Sequence, residues 1–414
     1  MLRAYKYFLR PTADQHIALD GIRRLCCELY NAGLQERRDA WHTSKKSISF
    51  KQQSAQLPSV RSERPDANTV YAQVLQDVLR RLNKTFSGFF RRVKAGQKPG
   101  YPRFRSARRY DSFTFPQLSR SNRSSELSAG GVELLPNGRL RVHDVPGEVK
   151  VKWHRPWLGR SKTATFKREG ARWYLVLTCE QDALVDPLSE TGLTAGIDVG
   201  LTDFATLDVA RGAVALPAAE QPASIANPRH LRAAAESLTR AQQRMTHRRR
   251  GSARRATARA LFAKQHAHVA NARRDFHHKL ALDLVRRFDR IAVEKLDIKG
   301  MLSEEKDEEA TARSKKQRRG LRRSIGDAGW GQFLSILAYK AESAGREFRE
   351  PNARGTTKEC SGCGAMVPKE LWERMHRCPC CSLVMPRDRN AARNIRQRAY
   401  GREAAIGEGG LCAA

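Results

Sequence analysis

The hydrophobic positions of this chain change period several times, and each change marks a different kind of structure. Residues 2–9 alternate apolar and polar, the pattern of a half-buried strand. Pro11 then opens a helical stretch to about residue 41, with Ile17, Leu19, Ile22, Leu25, Leu29 and Leu34 at helical spacing. A polar Ser/Gln/Arg-rich segment, 43–65, leads to a second helix over about 68–94. Its apolar face takes Val70, Val74, Leu75, Val78, Leu79, Leu82, Phe86, Phe89 and Phe90. Across 111–180 the period shortens to two. Runs at 112–115, 131–135, 139–142, 149–153, 164–167 and 173–178 are punctuated by Gly, Pro and Asn, as in a small antiparallel barrel or sandwich. The strand at 2–9 can join them, which makes the helical block 11–105 an insertion. Residues 181–192 read as a linker.

Beyond the linker, the apolar run ending in Asp198 reads as a buried strand, and Gly200 permits a hairpin into Phe204–Leu207. Helices are predicted over about 230–247, 253–288 and 330–345, with a short strand before Glu294 and an extended segment at Phe348. The stretch 303–323 is first acidic (304–309), then basic, and reads as a mobile surface loop. The predicted fold class is α+β, in several domains.

Charge narrows the partners. The 414 residues carry 77 Lys and Arg against 43 acids, a formal net charge of +34. An excess of that size points to a polyanion, nucleic acid before an anionic membrane. No uninterrupted apolar run is long enough to span a bilayer and no signal-peptide core is present, so the expected location is the cytoplasm or nucleoid, with no membrane partner. Three clusters are candidates for nucleic-acid contact. The second helix presents Arg80, Arg81, Lys84, Arg91, Arg92 and Lys94 opposite its apolar face. A Pro/Gly loop carries Tyr101, Arg103 and Arg105, aromatics for stacking and arginines for phosphates. A Gly/Ser helix break carries Arg248, Arg249, Arg250 and Arg254. Such contacts give affinity without reading sequence.

Five of nine cysteines crowd between Cys360 and Cys381. Cys360-x2-Cys363 and Cys378-x2-Cys381 form two knuckles 14 residues apart, a spacing that closes a four-thiolate structural zinc site. Cys381 is preferred to Cys380 because it keeps the knuckle, and Ser382 stands where a second glycine is expected after Gly364. Cys26 and Cys27 read as core, Cys179 as a strand end, and Cys412 carries no signal.

Alone, Asp198 is as readily a structural hydrogen-bond acceptor as a ligand. Glu294 repeats the pattern of an isolated acid at the end of a buried strand, and Asp388 precedes an alanine-rich helix where it could serve as an N-cap. Three acids this far apart converge only through the fold. If they do, their hard oxygens suit Mg²⁺ or Mn²⁺ and phosphodiester hydrolysis.

Taken together, Gly196-Ile197-Asp198-Val199-Gly200, Val293-Glu294-Lys295-Leu296, the double C-x2-C and Arg387-Asp388-Arg389-Asn390-Ala391-Ala392-Arg393-Asn394-Ile395 resemble the TnpB family of transposon-encoded, RNA-guided DNA endonucleases. Thr69–Gln76, Gly100–Phe104 and Asp327–Trp330 also match. The resemblance implies a split RuvC-like nuclease domain of RNase H fold over 193–355 and 386–404, with Asp198, Glu294 and Asp388 as catalytic Mg²⁺ ligands. It implies a zinc ribbon at 356–385, a wedge-type β-barrel from 1–10 and 106–180, a recognition lobe at 11–105 and a tail at 405–414. The partners would be a guide RNA from the transposon end, one protomer per RNA, and double-stranded DNA beside a short transposon-adjacent motif, near which Gln76 would sit. Two departures stand out: Pro386 occupies the place of the first acid in the family's Asp-Arg-Asp, and the acidic run 304–309 looks like an insertion into a loop that gates the nuclease site. Two other classes are carried alongside: a nuclease-inactive RNA-guided repressor, and a strand-transferring transposase or recombinase.

Overall fold

The computed structural model describes residues 2–120, 131–181, 188–212, 214–303, 312–352, 354–370 and 372–401. It divides into two compact units, Met1–Ala183 and Leu184–Ala414.

The first unit contains β1 (Leu2–Arg10), α1 (Ala13–Ser44), α2 (Phe50–Ala55), α3 (Leu57–Glu63), α4 (Ala72–Lys94), β2 (Ser112–Phe115), β3 (Ser119–Arg120), β4 (Val132–Leu134), β5 (Leu140–Val142), β6 (Glu148–Lys152), β7 (Arg160–Glu169) and β8 (Arg172–Glu180). Eight strands form one sheet in the order β2-β7-β8-β1-β6-β5-β4-β3. The alternation in β1 puts Tyr5, Tyr7 and Leu9 inward, where they meet Trp173, Phe113, Phe115 and Phe166. Helices α1 and α4 pack into the same core through Leu19, Ile22, Cys26, Val78, Leu79 and Leu82. Thr12 and Gln15 close a capping box at the start of α1, worth about 1 kcal/mol.

Several sequence expectations change here. The polar segment 43–65 forms α2 and α3, and a 3-10 turn at Pro65–Thr69 delays α4 to Ala72. Ile17 and Phe90 are exposed at 69% and 57%, because each lies off the stripe its helix buries. Arg81 is not a free cation: Asp77 accepts from its Nε at 2.8 Å and the Ser112 carbonyl from Nη1 at 2.9 Å.

The second unit contains β9 (Leu193–Val199), β10 (Asp203–Arg211), β11 (Val214–Ala215), β12 (Ile225–Ala226), α5 (His230–Ala233), α6 (Ala235–Thr246), α7 (Ala253–Arg287), β13 (Arg290–Val293), α8 (Ile298–Leu302), α9 (Ala312–Ala328), α10 (Trp330–Ser343), β14 (Glu347–Arg349), β15 (Met375–Arg377), β16 (Val384–Pro386) and α11 (Arg387–Tyr400). Its main sheet runs β11-β10-β9-β13-β14, with β12 beside β10. β9 and β10 are an antiparallel hairpin, while β13 lies parallel to β9, and β14 parallel to β13. One face, with Ala195, Ile197, Val199, Leu207 and Val209, packs against Leu284, Phe288, Phe333 and Leu337 of α7, the turn after it, and α10. The other face takes α11 through Ala292, Ile395 and Ala399.

The helix expected at 230–247 breaks at Ala234 into α5 and α6. The stretch expected to be a mobile loop is instead helical from Ala312: Lys, Arg and Gln are good helix formers, and Ile325, Asp327 and Ala328 bury its last turn. Asp327 also accepts from the backbone N–H groups of Leu231 and Arg232 and pairs with Arg273 at 3.3 Å. The acidic run 304–309 and Cys412 lie outside the described residues. Cys26, Cys27 and Cys179 are buried.

Candidate functional site

The site is built on Gly196. A Cβ added there would stand 2.1 Å from the Ala392 carbonyl oxygen and 2.7 Å from Arg396 Cβ. The absent side chain is what lets α11 lie directly on β9. Side chains alternate along a strand, so Asp198 shares the face of Gly196 and points toward α11. Along the helix, Asp388, Ala392 and Arg396 recur every four residues and share one stripe. Two strand residues and four helix residues both advance about 6 Å. One step from the Gly196–Ala392 contact therefore brings Asp388 level with Asp198.

Glu294 arrives from the neighbouring strand. In the parallel register Ala292 faces Gly196 and Val293 faces Ile197, so the next residue on β13 is level with Asp198. Ala292 contacts Ile395 of α11, and Glu294, two positions on, shares that face. Lys295 N–H donates to the Pro351 carbonyl at 3.1 Å and fixes the backbone just past the acid.

The electrostatics agree with this geometry. Burial pushes the Asp198 carboxyl well above the usual carboxylate range, and the negative charges of Glu294 and Asp388 push it further; Arg387 opposes them. Burial alone raises Glu294. Asp388 does not cap its helix: Pro386 holds the N-cap position, and Asp388 lies in the first turn, 3.6 Å from Arg387 Nε. Acids in a first turn are favoured by the helix dipole.

Three supports have no plain signal in the sequence. Asp208 on β10 faces Gly196 in register and is fully buried. It accepts from Arg393 Nε at 3.1 Å and from Arg396 Nε and Nη2 at 2.9 and 2.7 Å. Asp289 accepts from the N–H groups of Thr191 and Gly192 and from Arg346, fixing the start of β9. Burial opposes its ionisation, but these donors hold it below its ordinary pKa. Asn390 and Asn394 each donate to the carbonyls of Thr356 and Glu359, joining α11 to the cysteine ribbon.

In the ribbon, the Sγ atoms of Cys360, Cys363, Cys378 and Cys381 all lie within 4.8 Å of one another. Cys360–Cys381 and Cys363–Cys378 are each 3.5 Å apart, near the roughly 3.8 Å of a tetrahedron with 2.3 Å Zn–S bonds. Cys380 is exposed and outside the quartet. Gly364 and Ser382 close their knuckles at φ +83° and +58°, so a serine holds the left-handed turn that favours glycine.

The nucleic-acid candidates are on the surface. Arg80, Lys84, Tyr101, Arg103, Arg105, Arg248, Arg249, Arg250 and Arg254 are exposed, and Gln76 is half-buried. Arg80 lies over the Phe50 ring and Arg105 over the Tyr30 ring. Arg255 donates to the Arg248 carbonyl at 2.7 Å and shapes the arginine loop.

Three family descriptions match: "Probable transposase" of the OrfB_IS605 type over residues 174–305, "Cas12f1-like, TNB domain" over 330–395, and a "Helix-turn-helix domain" over 1–46. The last stretch is here a strand followed by one long helix. The chain is 30% identical over 400 residues to a Streptomyces pristinaespiralis protein named "Putative RNA-guided DNA endonuclease", covering 95% of this chain and 88% of that one. It is 24% identical over 399 residues to the Escherichia coli K12 protein of the same description, InsQ, covering 95% and 91%. Among solved structures, the mini-RNA-guided endonuclease CRISPR-Cas_phi3 aligns over 99% of this chain and 94% of that one, at 8% identity and a TM-score of 0.49. Sequence kinship along almost the whole length makes this chain a member of the TnpB family.

Proposed function

We propose that this chain is an RNA-guided endonuclease of an insertion-sequence element, cutting double-stranded DNA beside a short transposon-adjacent motif. One observation carries the reading: two carboxylates on one sheet face and a third on the helix lying against it come from three distant segments, and Asp198 feels the negative charge of the other two. Asp198, Glu294 and Asp388 offer only hard oxygen ligands, the set that suits Mg²⁺ or Mn²⁺. Such a set could hold a pair of ions of the kind that act on phosphodiesters. When bound, such ions supply Lewis acidity for attack on the phosphodiester and charge for the leaving oxygen. Asp198, Glu294 and Asp388 would together hold such ions. Arg387 contributes positive charge beside them.

With β12 set aside, the sheet order third-second-first-fourth-fifth strand, antiparallel and then parallel, supports the finer assignment of a RuvC-like domain of RNase H fold over 193–355 and 386–404. The four cysteines would hold a structural zinc with no open position, inside a ribbon at 356–385. On this reading Cys381→Ser lowers bound zinc and Cys380→Ser leaves it unchanged. The first unit reads as the wedge-type sheet with its helical recognition lobe. Gln76 and the exposed basic residues would touch the motif, the guide and the backbone, while base pairing reads the target. The protein would act in the cytoplasm, on the nucleoid, with one protomer per RNA.

The test is to purify the protein from cells carrying its element and sequence the RNA that comes with it. A discrete RNA ending in transposon-flanking sequence, and magnesium-dependent cutting of matching DNA, are expected. Bulk cellular RNA and no guided cutting would overturn the reading.

A further inference from the structure

We infer that the cysteine quartet is an oxidation switch for the acids: a peroxide joins Cys360 to Cys381 as a disulfide, zinc is released, and α11 with its Asp388 is unseated; this rests on the nuclease and zinc readings above. Among the described residues the exposed cysteines are Cys363, Cys380 and Cys381, all in the ribbon. Cys26, Cys27 and Cys179 are buried in the core of the first unit. Thiol oxidation follows exposure, so an oxidant in solution meets the ribbon first. Cys360 and Cys381 stand 3.5 Å apart, sulfur to sulfur, the first buried and the second exposed. The exposed thiolate is the entry point, and the buried one is the partner that resolves it.

Hydrogen peroxide suffices as the oxidant. The Cys381 thiolate attacks one peroxide oxygen, the O–O bond breaks, hydroxide leaves, and the sulfur becomes a sulfenic acid. The Cys360 thiolate then attacks that sulfur, an S–S bond forms, and a second hydroxide leaves. Two thiolates give up two electrons, and one peroxide becomes two hydroxides. Cys363 and Cys378 remain, too few to close a tetrahedral site, and zinc is released with its charge unchanged.

The first knuckle carries this change to α11. A Cβ added at Gly362 would stand 3.2 Å from Cys381 Sγ and 3.7 Å from Cys360 Sγ, so the knuckle backbone lies against the reacting pair. Ser361, beside Cys360, is buried and donates its N–H to Asn390 Oδ1 at 3.0 Å. Asn390 in turn donates to the Thr356 and Glu359 carbonyls at 3.3 and 2.8 Å, and Arg398 to the Glu359 carboxylate at 2.5 Å. These bonds all land on 356–361. Asp208 fastens α11 further along, through Arg393 and Arg396, whereas Asn390 follows Asp388 by two residues. A loosened ribbon therefore acts on the end of the helix that carries Asp388. Asp198 and Glu294 are carried by the sheet, so one acid of the three moves relative to the other two.

The experiment treats the full chain, zinc-loaded and reduced, with hydrogen peroxide. It follows zinc with a chromogenic chelator, disulfides by non-reducing peptide mapping, and the magnesium-dependent rise in melting temperature. About one zinc per chain is expected to leave as the Cys360–Cys381 bond forms. The magnesium-dependent rise disappears with it, and guided cleavage by the complex falls about a hundredfold, the cost of a misplaced group. A dithiol with added zinc restores both. Cys381→His keeps a closed site of three thiolates and one imidazole, its zinc content shows that the ribbon is folded, and peroxide leaves its magnesium response in place. Zinc release with the magnesium response and cleavage intact overturns the switch. So does zinc retained through the treatment, a Cys363–Cys378 bond forming first, or equal loss of the response in zinc-loaded Cys381→His. A reduced chain that holds no zinc refutes the zinc reading, and one that cuts no guided target refutes the nuclease reading.

Discussion

Asp198 and Asp208 lie on adjacent strands, face the same helix, and have opposite surroundings. Asp208 has two arginines from α11 on its oxygens and is sealed from water. Asp198 has two more acids near it, and its carboxyl resists ionisation. A fold that sought only stability would exchange some of these charges. The saturated acid fastens the helix, while the unsatisfied one is left where a cation can be received. On the proposed reading, the destabilised cluster is the cost of a site that binds a cation.

Breaking the open side should have the largest effect. Asp198→Ala is expected to keep guide and target binding and to slow guided cleavage about a thousandfold, the equivalent of about 4 kcal/mol of transition-state stabilisation. Cleavage at an undiminished rate in a single-turnover assay would remove Asp198 from the mechanism. Breaking the closed side acts on the fold. Asp208→Ala leaves the buried Arg396 guanidinium and the half-buried one of Arg393 without their acceptor and should cost about 3–5 kcal/mol in denaturant unfolding. Asp208→Leu with Arg396→Met should cost less than the two singles added.

Gly196→Ala pushes a methyl into the Ala392 carbonyl and should shift α11 from both acids at once, costing about 1–3 kcal/mol. Cleavage should fall further than stability implies; parallel losses of both would mean the helix height is not critical. The finest test is titration of the metal-free protein. The folded-state pKa values of Asp198 and Glu294 are raised, so between the unfolded values near 4 and the raised ones the native state binds more protons. Stability should therefore fall as pH rises through that window, by at most about 1.4 kcal/mol per pH unit for each group. Asp198→Asn should flatten the slope, and a magnesium-dependent rise in melting temperature above the window should disappear with it.

The open side was legible in the sequence and the closed side was not. Asp198 and Glu294 each end an apolar strand, and an acid there has few explanations. Asp208 sits in an alternating strand, Thr206-Leu207-Asp208-Val209, where period two assigns it to solvent. Its partners come 185 and 188 residues later, on a helix with no sequence pattern that ties it to this strand. Asp388 had a simpler reading as a cap, which the backbone at Pro386 removes. The cysteine quartet was readable from spacing alone, because zinc geometry limits the loop lengths. The charged stretch before Asp327 was misread because charge pattern carries no information about a helix anchored only at its last turn.

The order of the three acids along the chain has a consequence for synthesis. Asp388 leaves the ribosome 94 residues after Glu294, about 5 to 20 s later at common elongation rates. Until then α11 does not exist, and the sheet face carrying the first two acids has no third. A product abandoned at any codon before Asp388 carries most of the basic surface and an incomplete set of acids. On the proposed reading, the last-made helix is what completes the nuclease.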